Sequence, residues 1–562
     1  MKKENIKIGL KNFNIKGKRG CRTARLIFIN HSLVTALFML LSSNLIGKEK
    51  ENMNLIKKVF ILALVLIFNL GMEAKPLESS KPNILVILTD DQGMGDLACL
   101  GNPLLKTPNI DKFYSLSTRF TDFQVSPTCA PSRAAIMSGR HEFKNGVTHT
   151  IFEREYMSLS STTFPQILQK NGYETALFGK WHLGDTEDFL PHNRGFSESL
   201  IHGSGGIGQP WDFEQNRPTN SKTGERRLFD NFLLHNGTIV KTKGFCTDLF
   251  FQAALGWMKK QYTAKQPFFT LLSTNAPHGP YVAPEKYMKR WLDAGWDKNT
   301  AGRYGMIENL DDNFGLMMEK LESWGALDNT LIIFMTDNGQ AGKTPYLNGK
   351  KMEAFRAGYK WGKGRAYEGG THVPAFWYWK GVLGEGVDIP ALVAHVDLFK
   401  TFCDLAGAKI PDNIQSIDGV SMLPLLENPK ESWPDRNVFI HRGRWGIGID
   451  PNENKYNGGA VRTQRWRLIF PKNSTSEDSA ILFDISKDKF QTNNVTNQYP
   501  EVTKKLKKIY DQWWEETLPL LINENRKISD EFPLHTRFNK QLKESGISDW
   551  APLENYQIRS LP

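Results

Sequence analysis

The stretch KPNILVILTDDQG, residues 81–93, indicates the fold class most directly. Residues 84–88 are all apolar, and Thr89, Asp90 and Asp91 follow them directly. An apolar run without alternation is typical of a strand buried on both faces, as in the sheets of α/β proteins. Charged residues just past such a strand lie at the carboxyl edge of the sheet, where ligands bind in open α/β folds. The sequence therefore predicts an α/β core with a functional edge at Asp90 and Asp91.

A second stretch, NTLIIFMTDNGQ at 329–340, repeats this pattern and ends in Asp337 and Asn338. Taken singly, Asp-Asn-Gly is also ordinary turn chemistry, and Asp-Asp-Gln-Gly is compatible with a helix cap. If the two strands present their ends at one edge, three carboxylates and an amide meet there. Oxygen ligands of this kind favour a hard cation, calcium rather than a soft metal.

The stretch CAPSRAAIMSGR, residues 129–140, carries the candidate nucleophile. Cys129 stands beside Arg133 and before the helix-forming run AAIM, which predicts a helix N-terminus at the thiol. A cysteine near an arginine at a helix start is acidified, although a buried cysteine before an ordinary helix fits the same residues.

This stretch resembles the signature of the type I sulfatases, Cys-x-Pro-Ser-Arg followed after three residues by Leu-Thr-Gly-Arg. The chain departs from it only with Met137 for Leu and Ser138 for Thr, which keep the volume and the hydroxyl. In that family the cysteine is oxidised to formylglycine (3-oxoalanine) by a formylglycine-generating enzyme, and the hydrated aldehyde is the nucleophile. The resemblance implies this modification at Cys129, an alkaline-phosphatase-like fold and one calcium ion per chain.

Three further segments resemble motifs of the same family. GKWHLG holds Lys180 and His182 after a predicted strand, and a strand-like geometry would put both side chains on one face. The buried strand of PFFTLLSTNAPHGPY (267–281) ends in a loop with His278, and Lys363 stands before Glu-Gly-Gly in the fourth motif. Each of these residues taken alone fits a surface or loop position.

The resemblance implies a role for each of these residues. Asp90, Asp91, Asp337, Asn338 and the modified Cys129 would hold the cation. Arg133 would steady the hydrated aldehyde, and His182 would assist its proton transfers. Lys180 and Lys363 would bind the sulfate oxygens, and His278 would protonate the leaving oxygen, together with Lys363.

The basic net charge is no argument for a nucleic-acid partner, and none is expected. The 562 residues carry a net charge of +11, but residues 1–74 hold ten Lys and three Arg against four Glu, which leaves only +2 for the rest. Hydrophobic content of 40% and charged content of 23% are those of a globular protein.

The segment that begins at Met53 predicts export to the periplasm or the outside. MNLIKKVFILALVLIFNLGMEA has two lysines, an apolar run at 59–68 and small residues near Ala74, the layout of a signal peptide. We expect residues 1–52 to be a non-native upstream extension and 53–74 to be the signal. The apolar run is short for a membrane span, so stable insertion is not expected, and an uncleaved anchor is the alternative. None of the five cysteines shows the Cys-x-x-Cys spacing of a metal site. With Cys21 removed and Cys129 modified, three cysteines remain, which allow at most one disulfide, so we do not expect a disulfide scaffold.

The rest of the chain divides at about residue 430. Residues 75–430 are predicted to form the catalytic domain, a large, mostly parallel sheet with flanking helices. Residues 431–562 alternate apolar and polar positions in short runs and then show a helical pattern at 502–521, which predicts a smaller α+β subdomain on an antiparallel sheet. The glycine-rich HGSGGIGQPW (202–211) is interpreted as a flexible surface loop.

Three functions fit these observations. The first is a sulfatase that removes sulfate from a sulfated carbohydrate, similar to bacterial glycan sulfatases; Trp211, Trp361, Trp377 and Trp379 would supply aromatic faces for sugar rings. The second is a phosphate-ester hydrolase of the wider alkaline-phosphatase-like group, against which Gly339-Gln340-Ala341 counts because a second metal needs histidines there. The third is a catalytically dead binder of sulfated glycans, which the retained lysines and histidines disfavour.

Overall fold

The computed structural model describes residues 76–216 and 228–557. The predicted signal peptide and the residues upstream of it lie outside this range. The helices are α1 Pro108–Leu116, α2 Cys129–Ser138, α3 Phe164–Lys170, α4 Cys246–Thr263, α5 Glu285–Asp293, α6 Lys298–Trp324, α7 Glu368–Thr371, α8 Asp397–Ala406, α9 Leu423–Glu427, α10 Pro500–Thr517 and α11 Pro533–Glu544. The strands are β1 Asn83–Thr89, β2 Thr118–Phe120, β3 Phe123–Gln124, β4 Glu174–Lys180, β5 Glu198–His202, β6 Phe232–His235, β7 Thr238–Lys241, β8 Phe268–Ser273, β9 Thr330–Thr336, β10 Tyr346–Leu347, β11 Lys350–Lys351, β12 Ala375–Tyr378, β13 Asp388–Ile389, β14 Val393–Ala394, β15 Val438–His441, β16 Gly459–Arg462, β17 Trp466–Ile469, β18 Ile481–Asp484 and β19 Ser548–Asp549.

The predicted apolar runs form the centre of one large sheet. Within the described residues it has eleven strands in the order β13-β2-β12-β9-β1-β8-β4-β5-β6-β7-β19. Strand β1 pairs in parallel with β8 on one side and β9 on the other, and β4 continues in parallel beside β8. Strands β12 and β6 run antiparallel to their neighbours β9 and β5. The predicted mixed, mostly parallel sheet with flanking helices is confirmed.

Two separate cores explain why β1 is apolar at every position from Ile84 to Leu88. Ile84, Val86 and Leu88 pack into the core with α2, α3 and α8, whereas Leu85 and Ile87 pack into the core with α4 and α6. All five side chains are buried, and each contributes about 1.5–3 kcal/mol of transfer free energy. Helices therefore cover both faces of the sheet and leave the ends of its strands open for a site.

The small sheet of the C-terminal part is also confirmed. Strands β15 to β18 form an antiparallel sheet in sequence order. Helix α10 packs on it through Tyr510, Trp513 and Trp514, which share a core with Val461 and Leu468. The helical pattern predicted at 502–521 is this helix.

The C-terminal tail differs from its predicted place beside the small sheet. Helix α11 buries Leu534 and Phe538 in a core of the large sheet, and Phe538 lies 5.2 Å, ring to ring, from Phe232 of β6. Strand β19 pairs in parallel with β7 at the sheet's edge. The apolar face of α11 finds its complement on the large sheet, so the tail packs there. The boundary near residue 430 stays a prediction.

Within the described ranges, no helix combines the length and the apolarity that a bilayer crossing needs. Cys99, Cys129, Cys246 and Cys403 are all free thiols.

Candidate active site

The acidic residues predicted from the strand ends meet at one edge of the large sheet. In the parallel pair of β1 and β9, Thr89 stands opposite Thr336, so the two polar pairs leave the sheet side by side. The backbone N–H of Asp91 donates to Asp337 Oδ1 at 3.3 Å, and Asn338 Nδ2 donates to Asp91 Oδ1 at 2.9 Å. These two hydrogen bonds hold Asp91 against Asp337 and Asn338, which lie 246 and 247 positions further along the chain.

The N-terminus of α2 brings Cys129 to these carboxylates. Helix α2 begins at Cys129, as predicted, and all of its residues are buried. One ligand atom each from Asp90, Cys129 and Asp337 lies within 4.8 Å of the other two. Asp90 Oδ1 and Asn338 Oδ1 are buried and accept no hydrogen bond. Buried oxygen acceptors without donors, next to a cluster of acids, fit a hard divalent cation such as calcium.

Two lysines complete the charge balance of the cluster. Lys180, the last residue of β4, donates from Nζ to Asp90 Oδ2 at 2.7 Å, and both side chains are fully buried. Lys363 Nζ lies 2.5 Å from Asp91 Oδ1. The carboxylates of the cluster therefore hold both ammonium groups at this edge of the sheet.

The charges of the site shift the pKa values of its groups in opposite directions. Burial raises the pKa of Asp90 and of Asp337 to about 6, despite Lys180 beside the first and Arg133 beside the second. Burial also acts on Asp91 and Cys129, but nearby ammonium groups outweigh it, and the pKa of each is lowered. The site thus favours a deprotonated thiol at residue 129 and leaves two carboxylates that a cation would stabilise.

Arg133 binds Asp337 of the acidic cluster through two nitrogen atoms. It donates from Nε and Nη2 to Asp337 Oδ2 at 3.0 and 2.7 Å. Its Nη1 donates to the backbone oxygen of Lys180 at 3.0 Å and to Ser273 Oγ at 2.5 Å. Ser273 ends β8 and was not among the predicted site residues, because a serine in a buried strand carries no local signal. Arg133 is therefore held in a fixed orientation against a candidate metal ligand.

His182 lies at the site in a different way from the predicted one. Strand β4 ends at Lys180, and His182 has a φ of 63°, so strand geometry does not relate the two side chains. His182 Nε2 lies 2.9 Å from the backbone oxygen of Thr150 and must donate to it, while Nδ1 is buried without a partner. Burial holds the pKa of His182 well below its usual value. The side chain is thus a neutral imidazole with a free acceptor nitrogen.

His278 follows β8 in the predicted loop. Its Nδ1 lies 2.7 Å from the backbone oxygen of Gly279, and its Nε2 lies 3.8 Å from Asp91 Oδ2. Burial lowers the pKa of His278 to about 4, although the Asp91 carboxylate acts in the opposite direction. Because Nδ1 donates to Gly279, Nε2 is the nitrogen that can exchange a proton beside Asp91.

The glycine-rich loop at 203–208 is buried and belongs to the site, so its interpretation as a flexible surface loop is wrong. Strand β5 leads directly into it, although β5 was not recognised because its five residues include Glu198 and His202 at either end. A Cβ on Gly205 would lie 2.6 Å from His182 Nε2, which only a glycine avoids. The aromatic prediction also needs correction, because Trp377 and Trp379 are buried in the core. Trp361 is 50% exposed and Trp211 is partly exposed, so these two of the four predicted tryptophans remain available to a ligand.

The chain is similar to known proteins over most of its length. The family model described as Sulfatase matches residues 82–408, and the model described as N-sulphoglucosamine sulphohydrolase, C-terminal, matches residues 358–516. The chain is 30% identical to N-acetylgalactosamine-6-sulfatase of Rattus norvegicus over 403 residues, 66% of this chain and 71% of that protein. It is 29% identical to human arylsulfatase A over 468 residues, 76% of this chain and 87% of that protein. Among solved structures, Ps i-CgsB in complex with k-i-k-neocarrahexaose superposes with a TM-score of 0.66 at 28% identity, covering 83% of this chain and 98% of that one.

Proposed function

The chain belongs to the sulfatase family and is a sulfuric ester hydrolase, and we propose that it is exported and cleaves a sulfated carbohydrate with a formylglycine made from Cys129 and one calcium ion. The observation that supports this most is the meeting of Asp90, Cys129 and Asp337 within one cluster. Export is proposed from the signal-like pattern of residues 53–74. The carbohydrate substrate is proposed from relatives whose names specify sulfated sugars.

The two groups supplied after synthesis fit the residues present. Asp90, Asp91, Asp337 and Asn338 would hold the calcium ion together with residue 129, and the unpartnered oxygens of Asp90 and Asn338 are the observation in favour of this. Calcium supplies positive charge to a sulfate oxygen, and hydrated formylglycine supplies the oxygen nucleophile. Conversion removes the sulfur of Cys129, which lies buried at the start of α2.

The remaining chemistry is assigned to side chains of the chain itself. Lys180 and Lys363 place two ammonium groups where the sulfate oxygens have to be neutralised, because their negative charge repels a nucleophile. His182 Nδ1, the free acceptor, takes up a proton at residue 129. His278 Nε2 gives a proton to the leaving oxygen; the negative charge of a bound sulfate ester favours its protonated form and opposes the effect of burial on its pKa.

Three measurements on one preparation test this proposal. The protein is expressed with a formylglycine-generating enzyme, the tryptic peptide across residue 129 is examined by mass spectrometry, and hydrolysis of p-nitrophenyl sulfate and p-nitrophenyl phosphate is followed. We expect a peptide that has lost its sulfur, activity on the sulfate ester alone, and loss of activity in Cys129→Ala. Activity lost on chelation is expected to return with calcium and not with zinc. A fully active enzyme with an intact thiol would refute the nucleophile assignment.

A further inference from the structure

A group of four cations, here named the arginine cluster, lies outside the machinery described above. It consists of Arg365, Arg442, Arg444 and Lys472. Arg365 is two residues past Lys363, and the other three lie on loops of the small sheet. Across the described part of the chain, none of the four forms an ion pair with a carboxylate. Cations in a folded protein are ordinarily paired when they are drawn together, so the cluster calls for an explanation.

The small sheet sets the positions of two members. Arg442 follows β15, and its backbone N–H donates to Gly458 O at 3.0 Å. Phe470, two residues before Lys472, donates its backbone N–H to the neighbouring Gly459 O at 2.8 Å. The loop with Arg442 and the loop with Lys472 therefore leave the small sheet at the same end, on either side of Gly458.

Arg444 connects the cluster to the catalytic residues. Its backbone N–H donates to Thr148 O at 2.9 Å, and it holds a φ of 67°, which is unfavourable for a residue other than glycine. The loop fits against this segment so closely that a Cβ on Gly443 would lie 2.0 Å from Thr148 O. Thr150, two residues further, is the residue whose carbonyl binds His182. Backbone strain of this kind persists where the surrounding contacts enforce a particular placement.

The charges of the cluster act on one another. The pKa of Arg442 is lowered by burial and then by Arg444 and Arg365. The pKa of Lys472 is lowered, first of all by Arg442, although Lys472 itself is exposed. Like charges held close together raise the local positive potential, and an anion bound between them would reduce their repulsion.

We propose that the arginine cluster is a second anion subsite, which binds a sulfate or carboxylate group of the glycan other than the ester under attack. The substrate is then a glycan with at least two negative groups on the same or adjacent sugar rings. Guanidinium groups bind both kinds of anion through paired hydrogen bonds. Arg365 also lies 4.8 Å from the ring of the half-exposed Trp361, which places a stacking surface for a sugar ring beside the cluster. This inference rests on the proposed function for the identity of the ligand.

The test compares substrates that differ only in the second anion. The probes are N-acetylgalactosamine 6-sulfate, its 4,6-disulfate, and a disaccharide that joins glucuronate to the 6-sulfated sugar. The variants are Arg442→Gln, Arg444→Gln, Lys472→Gln and the triple variant, with the exposed Lys400→Gln as a control of equal charge change. We expect KM for a doubly anionic probe to rise about threefold for each substitution and about 30-fold in the triple variant, while Lys400→Gln changes it less than about twofold. Which of the two doubly anionic probes responds identifies the second group as sulfate or carboxylate.

Calorimetric binding to Cys129→Ala separates this inference from the proposed function. If the triple substitution in that background weakens binding of a doubly anionic probe more than that of the monosulfate, the subsite stands even when no probe is hydrolysed. If the triple variant affects all probes equally, or none, in both binding and KM, the cluster is not a subsite for a second anion. Thermal unfolding of each variant verifies that the small sheet is intact.

Discussion

Replacement of Glu368 by Gln tests what holds the small sheet against the catalytic sheet. Glu368 begins α7 and is 2% exposed. Its Oε1 accepts from Arg462 Nε at 3.0 Å and from Arg467 Nη1 at 2.5 Å, and these arginines lie on β16 and β17 of the small sheet. The group of Asp122, Glu368 and His372 has the spacing of a metal site, but the two arginines already neutralise its carboxylates.

The size of the effect follows from the burial of both arginines, which are at most 1% exposed. A broken buried ion pair leaves an uncompensated charge and costs about 3–5 kcal/mol. We expect about 3 kcal/mol for Glu368→Gln, at the lower end, because the amide keeps one acceptor and Asp122 still pairs with Arg462 at 2.6 Å. Urea unfolding followed by circular dichroism measures the change, and the exposed Glu385→Gln, with an expected change within about 0.5 kcal/mol, is the control.

The same carboxylate makes this difference dependent on pH. Burial alone would raise the pKa of Glu368, but Arg467 and Arg462 hold it well below its usual value. The unfolded chain therefore binds the proton more readily, and the stabilisation is present above about pH 4.3 and lost as the pH falls below it. The difference in the free energy of unfolding between wild type and Glu368→Gln should therefore become smaller in that acidic range. If the substitution lowers the free energy of unfolding by less than about 1 kcal/mol at neutral pH, or if the difference increases in acid, the ion pairs of Glu368 do not stabilise this contact.

Three further substitutions test the catalytic cluster. Arg133→Lys keeps the charge but loses the two-atom contact with Asp337. Calorimetry on the metal-free variant should therefore give a calcium affinity about tenfold weaker than that of the wild type. An unchanged affinity would contradict a role for Arg133 in positioning Asp337. Gly205→Ala puts a methyl group 2.6 Å from His182 Nε2 and should lower kcat about 10²-fold, whereas Gly446→Ala, at an exposed position where the methyl group meets Ile449 Cγ1 at 3.4 Å, should change kcat less than about twofold; equal effects would argue against a role for His182. Lys180→Met removes the ammonium held by Asp90 and should lower kcat/KM for p-nitrophenyl sulfate by about 10²–10³-fold, and a variant with more than a tenth of wild-type activity would exclude a role in sulfate binding.

The fold class and the polar residues at the strand ends could be predicted from the sequence alone. Residues 84–88 and 331–335 predicted buried parallel strands because an apolar run without alternation needs cover on both faces, and the structure pairs these two strands directly. The start of α2 at Cys129 and the antiparallel sheet after residue 430 were also readable, because helix and strand periods are local properties. The motifs identified the polar residues at the strand ends without any knowledge of their contacts.

Which of these residues come into contact depends on how the whole chain folds. The pairing of Lys180 with Asp90, of Lys363 with Asp91 and of Arg133 with Asp337 joins residues at least 90 positions apart. The burial of the glycine-rich loop, the return of the tail to the large sheet and the gathering of the arginine cluster have the same origin. Such contacts depend on how whole elements pack and on the space that remains between them. A local pattern of side chains carries no record of that space, so these features became visible only in the folded chain.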